Sequence, residues 1–305
     1  MKHYLLLLII IILNISCSTK NQSGQLNDLH EISNVKTKKN FEPVLLKEIY
    51  GLTHCESVVL DEKRNVLYVS VQGEKEPEDG TIAKVSIEGE LIDTSFVTGL
   101  NNPKGMVVKN DRLFVGDMLE LVEVDLTTGT IVKRYTSDSV EFLNDVTIDD
   151  KGEIYVSDMF TSSIYKLDTT GKFGLWFTAP DMENPNGLLA VGDELYVAGW
   201  GRFTDRKPKE APQGRFLKLD KKTKAITVIT PEVLGNLDGV QVYDENSFLV
   251  SDWIAGNVFK VSKTGRATLF LETPPSVGDI LFLKEKELLF LPMNKQNKLM
   301  IYKTS

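Results

Sequence analysis

From residue 50 onward the chain alternates short apolar runs with turn-forming clusters, and no apolar run has the spacing of a helix face. One order recurs: a polar residue, a short apolar strand, a turn, an aromatic-rich strand, a loop, a third strand, a Gly or Lys turn and a fourth strand. The aromatic-rich strands read VLYVS, RLFVG, EIYVS, ELYVA, SFLVS and LLFLP, a composition that suits half-buried β-strands. The turns before the fourth strands read SIEGEL, DLTTGT, LDTTGK, LDKKTK and VSKTGR, so a sixth is missing.

The polar residues that open the first strands are Glu56, Lys104, Asn144, Asn186, Asp238 and, in the last unit, Gly278. Successive openers lie 48, 40, 42, 52 and 40 residues apart, the size of a four-stranded propeller blade. The pattern predicts an all-β chain folded as a six-bladed β-propeller over residues 41–305. The last unit stops after its third strand, NKLMIYKTS, which would leave an open and aggregation-prone sheet edge. FEPVLLKEI at 41–49 has strand character and stands before Glu56 at the separation a fourth strand would keep. It is expected to complete the last blade and close the ring.

The segment before the repeats has a different character. Lys2, the apolar run Tyr4 to Leu13 and the small residues up to Cys17 are too short to span a bilayer and have the order of a secretory signal. NISC at 14–17 resembles the lipobox of bacterial lipoproteins, with Asn14 where that pattern prefers Leu. Residues 1–16 are then the signal peptide, Cys17 carries the lipid, and the polar stretch up to residue 40 is a tether that cannot bury enough surface to fold alone. The plain alternative is an ordinary signal peptide with a chance cysteine. Either way the chain is exported, and the lipobox reading anchors it to a membrane of the bacterial cell envelope on an extracytoplasmic side.

Only Cys55 remains beyond Cys17, so no intrachain disulfide braces the domain. The net charge of −8 becomes −9 once Lys2 leaves with the signal, and an acidic surface with scattered lysines argues against nucleic acid as a partner. A monomer is expected.

The openers carry the candidate chemistry. In a propeller the first strand of each blade is innermost, so Glu56, Asn144, Asn186 and Asp238 would converge on the central channel. Two carboxylates and two amides are oxygen donors suited to a hard divalent cation, Ca²⁺ before Mg²⁺. The simpler reading is that Asn and Asp before a strand only cap turns. That simpler reading is adopted for Asp158 and Asp252 in YVSD and LVSD. Lys104 opens blade two, and its ammonium has three ways out beside a dication: reach to solvent, lose its proton, or stand in for the cation.

CESVVLDEKRNVLYVS, FLNDVTIDDKGEIYVSD, NPNGLLAVGDELYVA and LDGVQVYDENSFLVSDW resemble the metal-site segments of the gluconolactonase, regucalcin and senescence-marker-protein family. More distantly they are similar to paraoxonase and diisopropylfluorophosphatase propellers. The resemblance implies a divalent cation on Glu56, Asn186 and Asp238, with Asn144 lining the metal or substrate site. It also implies attack of water on a lactone or ester carbonyl, with Asp238 moving protons. Two departures stand out. Phe142 occupies the place where sugar-lactone enzymes tend to carry an Arg, and the paraoxonase histidine pair has no counterpart, since His54 is the only histidine after the tether. An apolar side chain there implies a less hydroxylated ligand. Rim loops should choose that ligand. The long loop 199–214 offers Trp200, Arg202, Phe203 and Arg206, and Met159, Phe160, Trp253 and the 72–80 segment stand in shorter ones. Its plain alternative is a solvated insertion.

Two classes of function follow. One is a divalent-metal-dependent hydrolase of a lactone or ester, with Asp238 and Lys104 catalytic and Phe142, Trp200, Arg202, Phe203 and Trp253 against substrate. The other is a non-catalytic extracytoplasmic propeller that binds ligand or scaffolds, its cation structural. For the leader, mass spectrometry of the mature N-terminus should find a lipid-modified Cys17. A free amino terminus elsewhere, or an unmodified Cys17, would refute the anchor.

Overall fold

The computed structural model describes residues 42–74, 76–203 and 212–305. These belong to one compact unit, Phe41–Ser305. The signal peptide, Cys17 and the tether lie outside the described residues, as does Arg206 of the long loop.

Six antiparallel four-stranded sheets form the six blades of a β-propeller. Blade one is Cys55–Asp61, Val66–Val71, Gly80–Ser86 and Leu91–Leu100, and blade two is Pro103–Lys109, Arg112–Asp117, Glu120–Asp125 and Thr130–Tyr135. Blade three is Leu143–Ile148, Ile154–Asp158, Ser163–Leu167 and Phe173–Thr178. Blade four is Pro185–Val191, Glu194–Gly199, Phe216–Asp220 and Ile226–Val228, and blade five is Leu237–Asp244, Ser247–Asp252, Asn257–Ser262 and Ala267–Glu272. Blade six takes Leu281–Leu283, Leu288–Met293 and Lys298–Lys303 from the C-terminal end and Val44–Tyr50 from the N-terminal end. That last strand pairs antiparallel with Lys298–Lys303 in the register Leu45 to Tyr302 and Tyr50 to Lys298, so the ring closes as the unfinished sixth repeat requires.

The apolar character of both strand faces has a direct cause. Six buried clusters each straddle two neighbouring blades. Tyr68 and Ile82 of blade one pack with Met106 and Val115 of blade two, and Tyr196 and Phe216 of blade four pack with Leu237 and Phe248 of blade five. Ile49 of the closing strand joins Cys55, Val58 and Phe290, which ties the two chain ends into one core. A propeller sheet is therefore covered on both sides, and its strands do not show the in-and-out alternation of a sheet with one wet face.

One irregularity repeats around the ring. Pairing of the first and second strands slips by one residue between Cys55 and Val58, Pro103 and Met106, Leu143 and Val146, Pro185 and Leu188, and Leu237 and Val240. In blade six the Val277 to Met293 bridge and the Leu281 to Phe290 pair show the same slip, although the inner strand there begins only at Leu281, beyond Gly278. A β-bulge re-aims the side chains it contains. Here it holds two successive polar or small residues where a flat strand would bury one and expose the other.

At Gly105, Gly187 and Gly239 the neighbouring inner strand approaches too closely for a side chain. A Cβ at Gly187 would lie 1.7 Å from the Asp238 carbonyl oxygen, whereas one at Gly174, in the fourth strand of blade three, would meet nothing within 4 Å. Gly187→Ala should therefore lower unfolding stability by about 3 kcal/mol, the upper range of overpacking. Gly174→Ala should be neutral or slightly stabilising. Equal effects in denaturant titrations of the two variants would contradict the close-approach account.

Candidate functional site at the hub

Each bulge presents its first residue as the opener of the inner strand. Glu56, Lys104, Asn144, Asn186 and Asp238 are the second residues of their strands and all are buried. They interact with one another. The Asn144 side-chain amide donates to Asn186 Oδ1, and Asn186 Nδ2 donates to the Leu237 carbonyl at 3.1 Å. The Asn186 amide also lowers the pKa of the neighbouring Asp238 carboxylate. Burial raises the Glu56 pKa, and the Lys104 ammonium pulls it part of the way back. Burial raises Asp238 further, reinforced by repulsion from Glu56 and offset by Asn186 and Lys104. The five expected openers thus form one cluster.

Lys104 does not reach away to solvent. It is 8% exposed, and its Nζ lies 4.9 Å from the centre of the Phe142 ring, within cation–π range. Phe142 stacks on Phe160 at 4.5 Å between centroids, and Phe203 meets Phe160 edge-on at 5.8 Å. These rings form an aromatic wall beside the lysine. A second wall pairs Trp200 with Trp253 at 5.8 Å, with Lys295 Nζ 4.7 Å from the Trp253 ring. Gln72, Met159, Trp200, Trp253 and Asn294 each follow a second strand directly, which is why side chains so distant in sequence share one rim. Arg202, expected against substrate, instead donates to Asp181 Oδ1 at 2.6 Å, with both side chains largely exposed. Such a pair contributes little to stability.

The base of the long loop is held by a residue that sequence reasoning passed over. Glu183, 4% exposed, accepts Arg215 Nε and the Arg215 backbone N–H, each at 2.9 Å. Asn184 Oδ1 accepts the Phe203 N–H at 3.2 Å, while its Nδ2 donates to the Met159 carbonyl at 2.8 Å. Asp158 and Asp252 behave as the turn caps they were expected to be. Asp158 accepts the N–H groups of Glu141, Phe160 and Thr161, and Asp252 those of Asn236, Ile254 and Ala255.

A second ring lies one residue deeper, formed by Ser57, Gly105, Asp145, Gly187, Gly239 and Asp279. Sequence alone left Asp145 and Asp279 without a role. Asp145 Oδ1 accepts the Val146 N–H and Oδ2 the Leu188 N–H, both at 2.6 Å, which joins blade three to blade four. Asp279 Oδ2 accepts the Ser57 hydroxyl at 2.7 Å, which joins blade six to blade one. Burial drives the Asp145 pKa well above the ordinary carboxylate range, and Asp279 repels it further. Burial pushes Asp279 to about 7, against the pull of the Ser57 hydrogen bond. Serines of the second strands brace the ring. Ser157 Oγ accepts the Asp145 N–H at 2.9 Å and donates to the Asn186 carbonyl at 2.7 Å, and Ser251 does the same between Gly239 and Gly278.

Do these residues fit a cation? Glu56 Oε2 is buried with no hydrogen-bond partner among the described residues, which is costly unless something positive shares its space. Fully ionised, Glu56, Asp145, Asp238 and Asp279 would be four buried negative charges with Lys104 the one buried cation among the described residues, an excess a dry channel sustains poorly. The donor set, carboxylates with amide oxygens, has the hardness Ca²⁺ prefers. Among the described residues no three His, Cys, Asp or Glu side chains converge as a metal cluster. Any ion at the hub would therefore take the two carboxylates together with the Asn144 and Asn186 amides.

Comparison with known proteins locates the fold. No family model matches the chain, and no curated protein is similar to it in sequence. Among solved structures, a gluconolactonase from Xanthomonas campestris superposes with a TM-score of 0.67 at 16% identity, over 87% of this chain and 95% of that one. A virginiamycin B lyase from Staphylococcus aureus gives 0.60 at 11% identity, over 84% and 98%, and a streptogramin B lyase 0.59 at 12%, over 87% and 97%. The chain shares a propeller fold with all three.

The buried carboxylates set a pH dependence. A carboxyl whose folded pKa is raised stabilises the fold while protonated and loses that contribution as pH climbs from its unfolded value, about 4, through its folded value. With divalent ions chelated, thermal stability should fall as pH rises from about 4 past 7, since Asp279 titrates near 7 and Asp145 and Asp238 are held well above the ordinary range. Asp279→Asn should remove part of the fall below 7. A melting temperature that instead rises across this range would show these carboxylates to be solvated.

Proposed function

We propose that the protein is a divalent-metal-dependent hydrolase of a lactone or related ester, acting at the hub. The observation that carries the reading is the unsatisfied, buried Glu56 Oε2 among converging oxygen donors. The gluconolactonase-like shape of the propeller supports it. Glu56, Asn144, Asn186 and Asp238 would hold the cation, Ca²⁺ before other ions. Bound there, it would supply Lewis acidity toward a carbonyl oxygen.

The remaining roles belong to this chain's own side chains. Asp238, whose burial raises its proton affinity, would in its ionised form take a proton from water and return it to the leaving alkoxide. Lys104, held beside Glu56 and Asp238, offers an ammonium to the negative charge that develops on the substrate oxygen. Phe142, Phe160 and Phe203 exclude water on one side, and Trp200 and Trp253 on the other. With aromatic rings where a guanidinium would grip hydroxyls, the substrate is poorer in hydroxyl groups than a sugar lactone. In this reading the protein works as a monomer outside the cytoplasm, anchored through a lipid on Cys17, and meets a small lactone or ester there.

The test combines a panel of lactones and aryl esters with Ca²⁺ titration. Asp238→Asn should lower kcat by about 10²- to 10⁴-fold while KM moves far less, because proton transfer belongs to the transition state. Lys104→Met should bind Ca²⁺ more tightly and turn over more slowly. Ca²⁺ bound by the mutant alone would show the ammonium to be the resident cation. Wild type whose melting temperature ignores both Ca²⁺ and chelator would exclude the metal site. The reaction run in ¹⁸O-water should label the product acid. Unlabelled, unsaturated product would convert the reading to a lyase.

A further inference from the structure

We propose that the end of the channel opposite the hub is a second binding site, which takes a small ammonium with an apolar body. A cavity of about 390 Å³ opens there, walled by apolar side chains of the inner strands, among them Val59, Met106, Leu188, Leu189 and Phe282. At about 3.3 Å per residue, Leu60 in its wall lies about 13 Å along the strand from Glu56. None of the hub openers lines it, although its two carboxylates belong to the ring one residue deeper than those openers.

The cavity is not uniformly apolar. Asp145 and Asp279 line it, opening from blades three and six on opposite sides of the ring. Each is over nine-tenths buried. Their hydrogen bonds leave acceptor capacity. Asp279 Oδ2 takes the Ser57 hydroxyl while its Oδ1 accepts nothing among the described residues, and each Asp145 oxygen takes one backbone N–H where it has room for two. Glycines keep this room open. A Cβ on Gly239 would stand 2.8 Å from Asp279 Oδ1, and one on Gly105 2.3 Å from Asp145 Oδ1.

Chemistry then selects the ligand. A neutral apolar molecule would fill the walls but leave the spare acceptor positions of Asp145 and Asp279 covered and without a donor, a cost an ammonium avoids. A bare Ca²⁺ needs six to eight oxygens. Beyond the two carboxylates the described lining offers the polar side chains of Thr147, Gln241 and Glu62; Glu62 is exposed at the mouth, and Thr147 Oγ1 already accepts the Ala190 N–H at 3.1 Å, so too few oxygens converge for such an ion. An organic ammonium satisfies both demands, its N–H donors on the carboxylates and its carbon body against Leu, Val, Met and Phe.

Calorimetric titration of the full chain with 4-phenylbutylammonium tests this, with 4-phenylbutan-1-ol as the neutral match. One equivalent of the ammonium should bind saturably and at least about tenfold more tightly than the alcohol, the worth of one charge-assisted hydrogen bond. Asp279→Asn should weaken it at least about tenfold. Ala190→Phe, which narrows the cavity without altering either carboxylate, should also abolish binding and keeps the test decisive should the first variant not fold. Equal binding of the alcohol would overturn the proposal, as would binding that survives Ala190→Phe or is lost in Trp253→Ala, which would seat the ligand at the hub. Competitive displacement by Ca²⁺ alone would make the cavity a metal site, and would overturn it too.

Discussion

Six inner strands converge on one axis, and their backbones can approach each other only where a side chain is missing or turned away. This crowding governs the hub. Gly187 sits against the Asp238 carbonyl and Gly278 against that of Glu56, where a Cβ would fall 1.7 and 2.2 Å from the facing oxygen. The repeated bulge is the backbone's answer. It lets the residue before each close contact turn to the axis, so chemistry-bearing openers and space-saving neighbours alternate as two rings. Ser157 and Ser251 then satisfy the N–H groups that the bulges expose and lock each blade to the next.

Geometry of this kind concentrates carboxylates where water is scarce. Glu56 and Asp238 in the upper ring and Asp145 and Asp279 in the lower all have pKa values raised by burial, and several repel one another. Desolvating an ion costs several kcal/mol, which Lys104 alone does not offset for four acids. Asp145 and Asp279 are partly compensated by hydrogen bonds that cross blade interfaces, so they also contribute to holding the ring. Glu56 has no such second use for Oε2. The upper ring is therefore the place where stability is sacrificed, and such sacrifices mark function more reliably than fold does.

The sequence made the architecture readable because propellers repeat. The VLYVS-like strands, the spacing of the openers and the missing sixth turn led to six blades and to closure by the N-terminal strand, and Val44–Tyr50 pairs as that reasoning requires. The openers were readable for the same reason. Asp145 and Asp279 were not, because a strand read with period two assigns one of two adjacent residues to the opposite face. The signal was present in the aligned pairs Glu56-Ser57, Lys104-Gly105, Asn144-Asp145, Asn186-Gly187, Asp238-Gly239 and Gly278-Asp279. A column of Gly and Ser broken by two Asp makes sense only if a bulge turns both members of each pair inward. Arg202 illustrates the opposite difficulty, since its exposed partner Asp181 comes from a neighbouring turn that no local pattern couples to it.

Lys104 links the two carboxylates of the upper ring to the aromatic wall. An ammonium buried near Glu56 and Asp238 lowers the cost of both carboxylates, and the Phe142 ring 4.9 Å away supplies a negative π-face without adding another acid. Replacing that ring with a guanidinium would set two cations side by side in a desolvated pocket. Phe142 and Lys104 are thus a matched choice: a hub that buries this lysine disfavours a guanidinium at position 142. The positive charge of this hub therefore sits on Lys104, among the openers, and not at position 142. The aromatic stack of Phe142, Phe160 and Phe203 fits that choice, because a wall without charge is free to be apolar.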